Sequence, residues 1–287
     1  MYGSRNERSV LLIPNSLKDI GFAVTRHIAE ILRDLGQDVL MCESSDTPVL
    51  PGVVRLTEPE AYHTADQVIT IGGDGTLLRA GVRCIQAEKP VLGVNLGRTG
   101  FLATCEVEEL PDKLRGLAEE KFQISRRGLL DACVPAKSWQ GIAVNDVVLF
   151  GCSRMHPMDY AVYCDGAFVS RYRSDGLIVA TPTGSTAYSF SAGGPVLDAE
   201  ANVMVLTPVC AHSIHAVPLV FSASRKLTIV AENDNRDEVY ASADSGPQCI
   251  LQPGDALRVT GAEKTLQLIT FDAAEQFCAI ETKLMRR

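Results

Sequence analysis

Val68-Ile69-Thr70-Ile71-Gly72-Gly73-Asp74-Gly75-Thr76-Leu77-Leu78-Arg79-Ala80 passes from an apolar run through three glycines into helix-forming residues, which describes a buried strand turning sharply into a helix. Glycines permit positive φ and a close approach of ligand to main chain, while the first turn of a helix leaves N–H groups unpaired. The junction therefore suits an anion such as phosphate. Asp74 is its one acid and would face the ligand's own negative charge unless a metal or a proton transfer employs it. The competing use is a cap for a helix over Thr76–Ile85, but a cap needs no flanking glycines on both sides.

Outward from this junction, Val10–Ile13 reads as a strand, followed by a helix carrying Ile20, Ala23, Val24, His27, Ile28, Ile31, Leu32 and Leu35 on one face until Gly36. His27, on or beside that stripe, reads as a core histidine. Asp38–Met41, Gln67–Ile71 and Val91–Val94 are further strands, and Glu106–Glu119 is a further helix. Alternating strands and helices predict an open parallel, Rossmann-like sheet over residues 1–121. Ligands bind such sheets beyond the carboxyl ends of the strands, where the loops Gly72–Thr76 and Asn95–Phe101 fall.

From Phe122 the sequence changes to short β-rich runs, and Asp165-Gly166 between two of them is a type I′ hairpin signal. Residues 122–272 are expected to form a mainly antiparallel, β-sandwich-like domain, with 273–287 a helix returning to the first domain. Two polar side chains, Asn145 and Asp146, interrupt one strand, as a turn, a bulge or a pair of groups gripping ribose or nicotinamide would. Arg173-Ser174-Asp175-Gly176 precedes another strand. After it, Thr181-Pro182-Thr183-Gly184-Ser185-Thr186-Ala187-Tyr188-Ser189-Phe190-Ser191 combines hydroxyls, a glycine and aromatic rings, dense chemistry for a plain connector. No Gly-Lys-Ser/Thr is present in it, so a Walker-type site is not expected.

The hydrophobic share of 46% and charged share of 22% are those of ordinary globular chains, and no apolar run approaches a membrane span. The segment after Met1–Arg8 ends at Pro14, too short for a secretory signal, so a cytoplasmic protein is expected. Nine scattered cysteines, an odd number without Cys-x-x-Cys, read as reduced core residues. A net charge of −8 disfavours nucleic acid and membrane surfaces as partners, so any nucleotide must be held by local geometry.

Gly72–Thr76 resembles the loop shared by diacylglycerol, sphingosine, 6-phosphofructo- and NAD kinases. Asn95-Leu96-Gly97-Arg98-Thr99-Gly100-Phe101-Leu102 and Thr181–Ser189 narrow the resemblance to NAD kinases of the bacterial type, and it extends loosely to about Asp255. The resemblance implies transfer of a phosphoryl group from ATP, or polyphosphate, to the 2′-hydroxyl of the adenosine ribose of NAD, with Mg²⁺ or another divalent metal. It implies Asp74 as the catalytic residue, and contacts to the dinucleotides from Asp74, Gly75, Phe101, Asn145, Asp146, His156, Arg173, Asp175, Thr186, Ala187, Tyr188, Ser189, Phe190, Ser191, His212 and Gly246. No metal ligand is implied by position.

Two departures stand out. The family carries Asn-Glu where Asn145-Asp146 stands, and Arg-Pro where Val217-Pro218 stands. Asp244-Ser245-Gly246 sits where many relatives have Asp followed closely by Gly or Gln. The family also implies a homodimer or homotetramer built through the β-rich domain. The alternatives are a lipid or sugar kinase of the same superfamily and a non-catalytic dinucleotide sensor.

Overall fold

A computed structural model describes residues 8–282 apart from 45–46, 98–99, 153–155, 214, 233–234, 236 and 273. The chain divides into two compact units, one of residues 1–126 with 266–287 and one of residues 127–265.

In the first unit, β1 (Ser9–Pro14) is followed by α1 (Ala23–Asp34), β2 (Asp38–Cys42), β3 (Val53–Leu56), α2 (Glu58–Thr64), β4 (Gln67–Gly72), α3 (Asp74–Ala87), β5 (Val91–Asn95) and α4 (Leu110–Ala118). The strands run parallel in the order β5-β4-β1-β2-β3. Helices α1 and α4 cover one face, where Ile28, Leu32, Leu110 and Leu114 share a core with Val10, Leu12, Ile69, Ile71, Leu92 and Val94. Side chains alternate across a strand, so Gly93 faces the other way, and there Leu77 of α3 packs. Burial on both faces is why the strands read as unbroken apolar runs.

Helix α1 starts later than its apolar spacing suggests. The Asp19 carboxylate accepts the N–H groups of Val24 and Thr25 at 3.1 and 2.9 Å, so regular helix begins at Ala23. Ile20 is left exposed in a short 3₁₀ turn, and His27 is exposed rather than in the core. The short β3 and α2 had no apolar periodicity to announce them, although Thr57 and Glu60 form a capping box at the start of α2.

The second unit continues with β6 (Gln123–Val134), β7 (Trp139–Ala143), β8 (Asp146–Gly151), β9 (Met158–Cys164), β10 (Ala167–Ser174) and β11 (Gly176–Ala180). There follow α5 (Tyr188–Ser191), β12 (Val203–Val209), β13 (Leu219–Ser222), β14 (Leu227–Ala231), β15 (Val239–Ala243), β16 (Cys249–Leu251) and β17 (Ala256–Thr270), before α6 (Glu275–Ile280). The unit boundaries fall inside β6 and β17. A six-stranded sheet runs β13-β12-β11-β8-β15-β16, and β10-β9-β14-β17 form a second antiparallel array. Val147, Leu149, Leu177, Val179 and Leu206 from the first meet Tyr160, Val162, Leu227, Ile229 and Leu257 from the second in one core. This is a sandwich, and within its second array β9 and β10 are joined at Asp165-Gly166 by a hairpin whose two residues both have positive φ, 49° and 86°.

The runs Ala256–Thr260 and Thr265–Phe271, which read in the sequence as two separate short strands, form one long strand, β17. Its first part pairs with β14, and near its end Leu268 pairs in parallel with Val91 of β5. All nine cysteines are free, but Cys152, Cys210 and Cys278 are exposed, so the core placement expected of them fails there. No helix among the described residues is long and apolar enough to cross a membrane.

Candidate functional site

In the first unit, the buried strand β4 ends at Gly72 and α3 opens at Asp74, with Gly73 between them as the N-cap. Asp74 is therefore the first residue of its helix and not its N-cap. Its Oδ2 accepts the Phe101 N–H at 2.8 Å, and its Oδ1 accepts those of Leu102 at 3.1 Å and Ala103 at 2.9 Å. Three donors fix the carboxylate against the loop after β5. Gly100 is required by this approach, since a Cβ there would collide with Asp74 Oδ1.

The two loops singled out in the sequence are thus joined through one side chain. Arg98 and Thr99 lie outside the described residues. Gly75 is exposed in the first turn of α3, and Phe101 is half-buried.

A basic group that the sequence did not announce completes this cluster. The exposed Lys18, in the loop after β1, lies over Gly73, where an added Cβ would sit 2.8 Å from its Nζ. Asn15 of the same loop donates to Thr76 Oγ1 at 2.9 Å. Amide N–H groups, a helix N-terminus and an ammonium together suit a polyphosphate.

The second unit carries the other cluster. Between β7 and β8 the chain turns at Val144-Asn145, and Thr181 ties this turn to the next strand end. Thr181 donates its hydroxyl to the Val144 carbonyl at 2.6 Å and its N–H to the Asn145 carbonyl at 2.8 Å. Gly184 packs so closely on the Asn145 carbonyl that a Cβ would collide with it. This close approach explains the glycine inside an otherwise hydroxyl-rich run.

Along that run Thr186 and Ala187 are half-buried, and Tyr188, Phe190 and Ser191 are exposed on the short α5. Ser189 is different. It is fully buried, with its hydroxyl 2.8 Å from that of Thr207, so its polar group belongs to the loop's own framework.

Asp146 is buried, and desolvation, with the Asp244 carboxylate as second cause, pushes its carboxyl up to about 7. Burial also raises Asp244, against the lowering effect of the N–H groups of Val144, Asn145 and Asp146 that it accepts. Arg173 and Asp175 are exposed at the junction of β10 and β11; the Arg173 guanidinium is 3.7 Å from Asp159 and its carbonyl accepts the N–H of His212. His212 is exposed. His156 Nδ1 lies 3.6 Å from Asp237. Gly246 is exposed, its carbonyl accepting the Ser242 hydroxyl.

The ATP-NAD kinase N-terminal domain model matches residues 10–122, and the ATP-NAD kinase C-terminal domain model matches residues 144–271. Among curated relatives, an NAD kinase of Teredinibacter turnerae is 33% identical over 253 residues, 86% of each chain. One of Corynebacterium diphtheriae is 34% identical, with 97% of this chain and 91% of the relative covered. Among solved structures, an NAD kinase from Archaeoglobus fulgidus in complex with ATP is 25% identical with a TM-score of 0.75, covering 96% of this chain and 98% of that one. The yeast NADH kinase complexed with NADH, at 23% identity, shares the fold with a TM-score of 0.80 over 97% of this chain and 87% of its own.

Proposed function

The chain belongs to the ATP-NAD kinase family, both of whose domains it carries, and from that premise we infer its reaction to be phosphorylation of NAD to NADP with ATP as donor. The observation within the fold that supports this most is the Gly72–Thr76 junction, where α3 points its N-terminus from the carboxyl end of a buried parallel strand and Lys18 lies over Gly73. That cluster would hold the phosphates of ATP, and the Asn145 turn with the Thr181–Ser191 run would hold the dinucleotide.

In a loose transition state little covalent work is left to the protein, and positioning with charge neutralisation supplies most of the rate. Asp74, held by three N–H donors, would orient the adenosine 2′-hydroxyl and take its proton late, when bonding to phosphorus has made that oxygen acidic. Tyr188, Phe190 and Phe101 offer rings for stacking, and Asn145 and Asp146 polar groups for ribose or amide. With burial pushing its carboxyl up to about 7, Asp146 has a protonated form within reach near neutral pH and could donate as well as accept.

Mg²⁺ fits this donor set as a metal carried by the nucleotide. Among the described residues no three His, Cys, Asp or Glu side chains gather to form a cage, and a phosphate-bound Mg²⁺ needs only one or two carboxylates from the protein. Asp74 would serve. The ion would neutralise charge on the phosphates.

A cytoplasmic location and a homo-oligomer are also proposed. The second is supported by Phe150, Tyr240 and Ile250, cross-strand neighbours on β8, β15 and β16. Phe150 and Ile250 are exposed, and the Phe150 and Tyr240 rings stack at 5.8 Å.

Purified protein with NAD, ATP and Mg²⁺ should form NADP, read by a dehydrogenase that uses only NADP. NAD binding without NADP formation would instead indicate a sensor, and turnover of a lipid or sugar alone a different kinase.

A further inference from the structure

Asp244 stands in the turn between β15 and β16, about a hundred residues along the chain from the Asn145 turn, yet its carboxylate is committed to it. Oδ2 accepts the Val144 N–H at 2.6 Å, and Oδ1 accepts those of Asn145 at 2.8 Å and Asp146 at 3.1 Å. The Asp244 N–H in return donates to the Asp146 carbonyl at 3.0 Å. The carbonyls of Val144 and Asn145 go to Thr181, so every main-chain polar group from Val144 to Asp146 on the turn side has a named partner. Among the described residues no hydrogen bond engages the Asn145 side-chain amide.

Three successive N–H groups converging on one carboxylate form a nest, and charge-assisted bonds of this kind are about twice as strong as neutral ones. Reaching it demands left-handed backbone at Asp244 and Ser245, with φ of 46° and 59°. Non-glycine residues adopt that conformation at a cost, and Asp tolerates it better than most. A carboxylate held in strained backbone, partly desolvated and spending its acceptors on another turn's N–H groups is poorly explained by the stability of its own hairpin.

We propose that Asp244 is a positioning residue for NAD: it fixes the Val144–Asp146 main chain so that the Asn145 amide is presented in one orientation, without itself touching the dinucleotide. The inference rests on the assignment of Asn145 to dinucleotide binding. It also accounts for the Ser/Thr-rich run beginning where it does, since Thr181 clamps the same turn from the carbonyl side while Asp244 clamps it from the amide side.

Asp244→Asn keeps the size but sets an NH₂ group against one of the N–H donors; Asp244→Glu keeps the charge but displaces it by a methylene. In steady-state kinetics of the full chain, both variants should raise the KM for NAD tenfold or more. The KM for ATP and kcat at saturating NAD should stay within twofold. On an Asn145→Ala background either substitution should raise the KM for NAD by much less than in the parent chain, because the main group being positioned is gone.

Val162→Ala, in the sandwich core on β9, serves as a control for simple destabilisation and should leave the KM for NAD unchanged despite a lower Tm. If Asn145→Ala weakens NAD binding and the folded Asp244 variants do not, the positioning role is overturned while the site assignment stands. If Asn145→Ala leaves NAD affinity unchanged, the assignment itself fails and the inference with it. An equal rise in KM from Val162→Ala would reduce Asp244 to a structural residue and overturn the proposal.

Discussion

At the scale of single residues, the most informative group is Asp74, because its carboxylate is both the proposed proton acceptor and the anchor of the Phe101–Ala103 main chain. Asp74→Asn should lower kcat by roughly 10²–10⁴, the usual range for a general base, with NAD affinity nearly unchanged. An asparagine also turns a donor toward one N–H of the loop, so a stability loss of about 1–3 kcal/mol should accompany it. Stopped assays and thermal melts on the one variant check both, and near wild-type kcat would remove Asp74 from the mechanism. Asp146 carries a second prediction. Its folded pKa of about 7 lies above the ordinary carboxylate range, so the folded chain keeps a proton that the unfolded chain has lost. The resulting penalty is absent below about pH 4, grows between about pH 4 and 7, and is fully present above about pH 7. Asp146→Asn should therefore stabilise the protein at pH 8, by on the order of 2–4 kcal/mol, and by little near pH 4. A difference in denaturation free energy that stays flat across pH would show that Asp146 ionises normally.

At the scale of elements, α6 is fastened by one glutamate. Glu275 accepts Lys113 Nζ at 3.1 Å and the Phe271 N–H at 3.3 Å through Oε1, and the Thr104 hydroxyl at 2.7 Å through Oε2. Lys113 and Glu275 side chains are only 12% and 14% exposed, so this pair is far less screened than a surface ion pair. Glu275→Ala should cost about 3–5 kcal/mol, the range for breaking a buried pair, reduced where Glu109 still partners Lys113. Earlier proteolytic cleavage near α6, with kcat retained at temperatures where the variant is folded, is the expected signature; cleavage unchanged from wild type would mean that apolar packing alone holds the helix. This contact had no local signal, since it joins residues 162 apart. The start of α3, by contrast, was legible from its glycines, while α1 was misjudged at Ile20 because apolar spacing carries no information about where Asp19 sends its carboxylate.

At the scale of the whole molecule, the row Phe150, Tyr240 and Ile250 bears on assembly. Phe150→Glu should shift the mass seen by light scattering toward the monomer at concentrations where the parent chain is associated, and an unchanged mass would exclude this face from the interface. The amino-acid sequence by itself determined the parallel α/β unit, the antiparallel unit, the glycine turn at Asp74 and the Thr181–Ser191 run, together with the kinase family they resemble. These rest on side-chain period and on residue types that act over a few neighbours. Only the tertiary structure decided that Asp74 grips the 101–103 main chain, that Lys18 lies over Gly73, that Asp244 gathers the Val144–Asp146 amides and that Ser189 is buried against Thr207. The physical reason is common to the two carboxylate contacts: their partners are main-chain N–H groups, which every residue but proline carries alike, so no residue type marks them in advance and only the folded path of the chain brings donor and acceptor within 3 Å or so of each other.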